Sequence, residues 1–209
     1  GGLYHLGKGV KQDDFKAVEL FKKACDGGEP EGCSFLGEMY VVGKGVNQDY
    51  SKAVELFKKA CNDGNVTGCS SLGEMYNSGK GVKKDHAKAV ELYEKACDSG
   101  EAEVCSYLGD LYRLGESVKQ DYAKAVELCK KACNGGNATG CLSLGDLYSS
   151  GKGVKQDNFK AAELFKKACN GGNATGCSIL GGLYFFGESV KQDNFKAVEL
   201  FKKACNGGE

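Results

Sequence analysis

The chain has 209 residues, and its 28 basic side chains balance 28 acidic ones. With no net charge and no basic run, it lacks the phosphate attraction that dominates nucleic-acid affinity, so a nucleic-acid partner is not expected. No apolar stretch approaches the roughly 18 residues of a membrane span, so membrane insertion is not expected either. Gly1-Gly2-Leu3-Tyr4 has neither the charged start nor the apolar run of a signal peptide, so any export signal is expected to have been removed or to lie outside this stretch. Glycine is unusually common, at 32 residues, whereas proline occurs once, at Pro30, and tryptophan is absent. Such glycine use without proline, in a chain that is 41% hydrophobic, points to regular turns between packed elements. Twelve cysteines are too many for a typical cytosolic enzyme of this size.

Internal repetition decides the architecture. Val10, Val46, Val82, Val118, Val154 and Val190 are spaced by 36 residues, as are Asp13, Asp49, Asp85, Asp121, Asp157 and Asp193. The expected organisation is a single domain over 1–209. It comprises a partial repeat at 1–28 and full repeats at 29–64, 65–100, 101–136, 137–172 and 173–208. In the first full unit, Pro30 suits an opening helical turn. Cys33, Leu36, Gly37 and Tyr40 then follow one helical face. This predicts helix A over about 30–42, broken by Gly43-Lys44-Gly45-Val46. Asp49 is placed to cap helix B, Tyr50 to about Asn62, whose stripe holds Ala53, Leu56, Phe57, Ala60 and Cys61. Lys58 and Lys59 favour the helix dipole at its end, and Gly64 supplies the stop. An isolated helix pair cannot bury so broad an apolar face, but stacked neighbours can. The predicted fold is all-α, a right-handed α/α solenoid of helix-pair repeats.

The string Leu36-Gly37-x-x-Tyr40-x-x-Gly43-x-Gly45-Val46-x-x-Asp49, followed by Lys52-Ala53 and Lys59-Ala60, resembles the Sel1-like repeat, a relative of the tetratricopeptide repeat. The pattern runs through the whole chain. Ser117 and Ser189 depart from it by replacing the second glycine of the turn, a change expected to be local. The added cysteines make the chain similar to the Helicobacter cysteine-rich proteins, a secreted bacterial subfamily.

Ten cysteines fall into C-x7-C couples: Cys25/Cys33, Cys61/Cys69, Cys97/Cys105, Cys133/Cys141 and Cys169/Cys177. The first member ends a helix B and the second opens the next helix A. Antiparallel helices joined by a short loop bring these positions together, so each couple is expected to form a disulfide. Closing such a loop stabilises by roughly 2.5 kcal/mol in the chain-entropy model. The bridges imply an oxidising compartment, periplasmic or extracellular. Structural zinc competes poorly, since it favours C-x2–4-C with further ligands nearby, and the chain has two histidines, His5 and His86. No metal or cofactor is called for. Cys205 has the phase of a first partner, but its mate would fall eight residues on, past the end. The chain thus starts and stops inside the repeat, from which a longer natural protein is expected. Cys129 occupies the column of Phe21, Phe57, Tyr93, Phe165 and Phe201, where a small buried apolar residue is the plain reading and a reactive thiol the sharper one.

The resemblance also implies penicillin binding with weak β-lactamase activity as an alternative function. The serine enzymes require S-x-x-K together with S-D-N and K-T-G. The one S-x-x-K, Ser149-Ser150-Gly151-Lys152, lies at a helix end, and the other two motifs do not occur. No catalytic residues are assigned. Asn65-x-Thr67, Asn137-x-Thr139 and Asn173-x-Thr175 look like glycosylation acceptors, but they stand at helix A starts, where Asn is a cap.

A second face of helix A is the expected partner surface. In related solenoids the matching positions line the concave groove. The candidates are Ser34, Glu38, Val41, Ser70, Glu74, Asn77, Ser106, Asp110, Arg113, Asp146, Ser149 and Phe185. The column Glu38, Glu74, Asp110, Asp146 is acidic, ending in Gly182, and favours cationic or polar segments. The column Val41, Asn77, Arg113, Ser149, Phe185 changes chemistry from unit to unit, which suits reading an extended peptide. Phe35, Tyr107, Ile179, Phe185 and Phe186 either pack between helices or form an exposed patch. The expected function is a secreted, monomeric scaffold that binds a peptide or protein segment, with a host-facing role implied by the resemblance. A pure spacer would bind no saturable partner.

Overall fold

A computed structural model describes residues 1–207; position 208, the expected end of the last repeat, lies outside the described residues. The described residues fold as helices and turns in two compact units, 1–99 and 100–207. The first unit contains α1 (Gly2–Leu6), α2 (Asp14–Asp26), α3 (Pro30–Val42), α4 (Tyr50–Asn62), α5 (Val66–Ser78) and α6 (His86–Asp98). The second contains α7 (Ala102–Leu114), α8 (Tyr122–Asn134), α9 (Ala138–Ser150), α10 (Asn158–Asn170), α11 (Ala174–Phe186) and α12 (Asn194–Cys205). Within each unit, helices consecutive in sequence pack on one another, as in an α-solenoid. Odd-numbered helices are the A helices and even-numbered ones the B helices.

The helix boundaries follow from local chemistry. The side chains of Asp13, Asp49, Asp121, Asp157 and Asp193 each accept a hydrogen bond at 3.0 Å from the backbone N–H three residues on. Each therefore satisfies a donor that the first helical turn leaves free. For Asp49 this bond from Lys52 N–H holds the carboxyl below its ordinary range. Asn65, Asn137 and Asn173 do the same for the A helices, accepting from the N–H of Gly68, Gly140 and Gly176 at 2.6, 2.7 and 2.8 Å. Their capping role explains these three asparagines without a glycan. The A helices end on left-handed glycines such as Gly43, with φ of 71°. Two residues further, a Cβ on Gly45 would collide with the Asp14 carbonyl of the preceding repeat. Ser117 and Ser189 hold the same left-handed conformation, with φ of 64° and 60°, so the turn keeps its shape where the glycine is lost.

The core is built from a glycine on helix A facing a ring on helix B. A Cβ on Gly37 would sit 2.6 Å from Phe57 Cε1, on Gly73 2.8 Å from Tyr93 Cε1, and on Gly145 2.6 Å from Phe165 Cε1. These approaches are tighter than real Cβ contacts allow, so only a bare backbone fits. Leu36 and Met39, Leu72 and Met75, and Leu144 and Leu147 fill the space on either side. The alanines Ala17, Ala53, Ala89, Ala125, Ala161 and Ala197 are buried in the first turns of the B helices.

The cysteines reinforce this packing. Disulfides join Cys25 to Cys33, Cys61 to Cys69, Cys133 to Cys141 and Cys169 to Cys177, and Cys97 and Cys105 are also disulfide-bonded. Each resolved pair has a Cα–Cα distance of 4.4–4.5 Å, the closeness expected where helix B turns into the next helix A. A lysine reaches across this corner from the following B helix. Lys59 Nζ donates to Cys25 O at 2.9 Å and Lys95 Nζ to Cys61 O at 3.0 Å.

The glycine–ring contact yields a direct test. Gly145→Ala is expected to destabilise the oxidised protein by roughly 1–3 kcal/mol through overpacking against Phe165. Equilibrium urea unfolding measures this, and the companion Gly182→Ala, where a Cβ meets nothing within 4 Å, is expected to be neutral or slightly stabilising.

Candidate functional site

The residues expected to meet a partner lie on the A helices of both units. In the first unit, Glu38 and Glu74 are exposed, while Val41 and Asn77 are partly buried. Asn77 Oδ1 is 2.8 Å from His86 Nδ1, and His5 Nδ1 is 2.8 Å from Asp14 Oδ1. These contacts link the last turn of helix A to the first residue of the following helix B. Desolvation raises the Glu38 carboxyl above its ordinary value, opposed by His5. Ser70 is partly buried and donates to Thr67 O at 3.0 Å.

In the second unit, Arg113 Nε donates to Asp110 Oδ1 at 2.9 Å, and the buried Ser143 hydroxyl donates to the same oxygen at 3.1 Å. Asp146 and Ser149, on the neighbouring helix, are exposed. Desolvation raises the Asp146 carboxyl, opposed by Arg113 and assisted by Asp110. Arg113, Asp146, Ser149, Lys152 and Tyr122 border one open hollow of about 460 Å³. Phe185 and Phe186 are 47% and 69% exposed and meet edge to face with centroids 4.9 Å apart, so this end of α11 presents an aromatic patch.

Two of the expected groove residues are not available to a partner. Ser34 and Ser106 are 3% and 4% exposed, and their hydroxyls lack a hydrogen-bond partner. The helical wheel places both beside the groove, yet both are buried. Phe35 and Tyr107, one position on, stay half exposed, and Phe35 stacks on Phe21 with centroids 5.1 Å apart. Helical spacing alone did not place Ser143, Tyr122 or Lys152 on this wall. The available signal was the chain's single arginine, Arg113, which invites a search for the groups that hold it.

Cys129 is fully buried against Gly109, where a Cβ would meet its sulfur at 2.7 Å. Burial, with the nearby Asp110 charge, pushes its thiol up to about 12, which removes the thiolate needed for reactivity. It is a packing residue. Ser149 and Lys152 border the same hollow, but Lys152 Nζ sits over the Tyr122 ring, 5.3 Å from its centroid. Covalent catalysis requires a base positioned on the nucleophile, and this arrangement gives the β-lactamase alternative no support.

A family model described as Sel1 repeat matches residues 1–29, 30–65, 67–101, 102–137, 138–173 and 174–209. Among solved structures, a protective antigen present in uropathogenic Escherichia coli strains is 34% identical, with a TM-score of 0.91. The match covers 100% of this chain, which spans only 44% of that protein. A Sel1 repeat protein from Oxalobacter formigenes is 32% identical over 98% of this chain and 84% of its own, with a TM-score of 0.89. Helicobacter pylori cysteine rich protein B is 36% identical over 64% of this chain and 96% of its own, with a TM-score of 0.51. No curated protein matches the chain.

Two outcomes follow from the site. Iodoacetamide at about pH 8 is expected to alkylate the exposed Cys205 and to spare Cys129 until the chain is unfolded, which mass spectrometry of native and denatured samples resolves. Asp146→Asn is expected to raise the melting temperature at neutral pH. A carboxyl whose folded-state pKa is raised costs stability when ionised, and the cost disappears as pH falls through that raised value. The difference between variant and parent therefore shrinks in melts taken down through the carboxylate range.

Proposed function

The chain belongs to the Sel1 repeat family, and on that footing we propose that it is an extracytoplasmic scaffold that binds a peptide or protein segment along its A helices. Sel1 repeats build protein-interaction scaffolds. One observation carries the reading: the core columns repeat with little change, while the partly or fully exposed column Val41, Asn77, Arg113, Ser149, Phe185 changes its chemistry at every step. A spacer needs only solubility at those positions, whereas a reader of an extended segment needs differences there. The exposed carboxylates of Glu38, Glu74 and Asp146 favour cationic or polar groups in the segment. The disulfide-bonded cysteines support an oxidising compartment, periplasmic or extracellular. The likeness to a protective antigen supports a host-facing role.

Peptide display against the oxidised protein tests this. Selected peptides are expected to bind saturably and to weaken as salt rises. Glu74→Lys is expected to cost at least about tenfold for a cationic peptide docked in the first unit, the effect of a lost and reversed charge pair. Lys166→Glu, on an exposed face of α10, is expected to leave binding unchanged. A selection that yields no saturable binder leaves the spacer reading in its place.

A further inference from the structure

The second unit carries a hollow beside the C-terminal ends of α7 and α9. Its chemistry differs from the acidic column around it. Arg113, the chain's only arginine, enters from α7 and Lys152 from the turn after α9. Asp110 does not border the hollow; it holds Arg113 from behind through Nε at 2.9 Å. The buried Ser143 hydroxyl in turn fixes that Asp110 oxygen at 3.1 Å. Anchoring a guanidinium through Nε leaves the donors of its terminal nitrogens for a planar acceptor, the geometry in which arginine is preferred to lysine. Tyr122 and the half-exposed Leu114 give the hollow apolar walls. Asp146 is the one acidic side chain on its border, set against two cations.

We propose that this hollow is a carboxylate pocket, in which Arg113 and Lys152 receive the carboxylate of an acidic side chain or of a chain terminus. The proposal rests on the segment-binding reading above and names the group that the second unit takes. A cationic side chain entering the hollow faces Arg113 and Lys152 at short range. A dianion faces Asp146. A singly charged, planar group with an apolar stem matches the lining. Ser143 and Asp110 are positioning residues, and Asp146 holds the affinity down.

The test is a 1H–15N NMR titration of the full oxidised chain with four N-acetylated pentapeptide probes: acetyl-AAEAA-amide, acetyl-AAAAA with a free C-terminal carboxylate, acetyl-AAKAA-amide and acetyl-AAQAA-amide. At least one carboxylate probe is expected to shift the amides of Arg113, Ser149 and Lys152 saturably, and which of the two binds distinguishes side chain from terminus. Arg113→Gln, with its fold checked by circular dichroism, is expected to weaken that binding at least about tenfold. Arg113→Lys restores it only in part, and Asp146→Asn tightens it several-fold. The proposal is overturned if the lysine probe binds the hollow as well as the carboxylate probes do, if neither carboxylate probe binds, or if Arg113→Gln leaves carboxylate affinity unchanged. If display peptides still bind the A-helix walls in those cases, the pocket alone is wrong. If display also yields nothing, the segment-binding reading falls with it.

Discussion

The whole arrangement depends on the bare glycine backbone of helix A, on which a helix B side chain lies directly, an aromatic ring in most repeats. Gly37 under Phe57, Gly73 under Tyr93 and Gly145 under Phe165 set how closely the two helices approach. At the corners a second set of glycines does the same, Gly32 lying on Ala24 and Gly68 on Ala60 beside the Cys25–Cys33 and Cys61–Cys69 disulfides, and Lys59 and Lys95 donate to the carbonyls of Cys25 and Cys61. Each repeat is a small unit with a correspondingly small core, and covalent corners compensate where apolar area is limited.

With the interior assigned to one set of columns, the remaining face of helix A is free to vary. Several contacts on that face are local. His5 with Asp14, Asn77 with His86, and Arg113 with Asp110 occupy the same region of three repeats, yet each uses different chemistry. Cys129 shows the opposite behaviour. It breaks the aromatic column, but Gly109 still packs against it, and burial leaves the thiol un-ionised. A departure from the repeat inside the core is absorbed by packing, whereas a departure on the wall alters what can bind.

Much of this was legible in the sequence because its signals are local and repeated. The helix ends, the caps at Asp49 and Asn65, and the C-x7-C couples all follow from spacing within about ten residues. The side of helix A that stays open did not follow so simply. Ser34 and Ser106 share the helical phase of the groove, yet both are buried, and a wheel drawn for one helix contains no neighbour. The hollow was hidden for the same reason. Ser143 and Asp110 lie 33 residues apart on different helices, and only stacking brings the hydroxyl to the carboxylate.

The central claim is that the varying columns of helix A are where a partner lies. Paramagnetic broadening from a nitroxide-tagged, display-selected peptide tests this most directly, because it reports distance to the peptide and not its chemistry. The account predicts that amide signals fade along the last two turns of the A helices, around Glu74 and Asn77 in the first unit or Asp146 and Ser149 in the second, while the exposed faces of the B helices stay sharp. Broadening centred on the B helices around Lys58 or Lys166, with the A-helix walls unaffected, would contradict it.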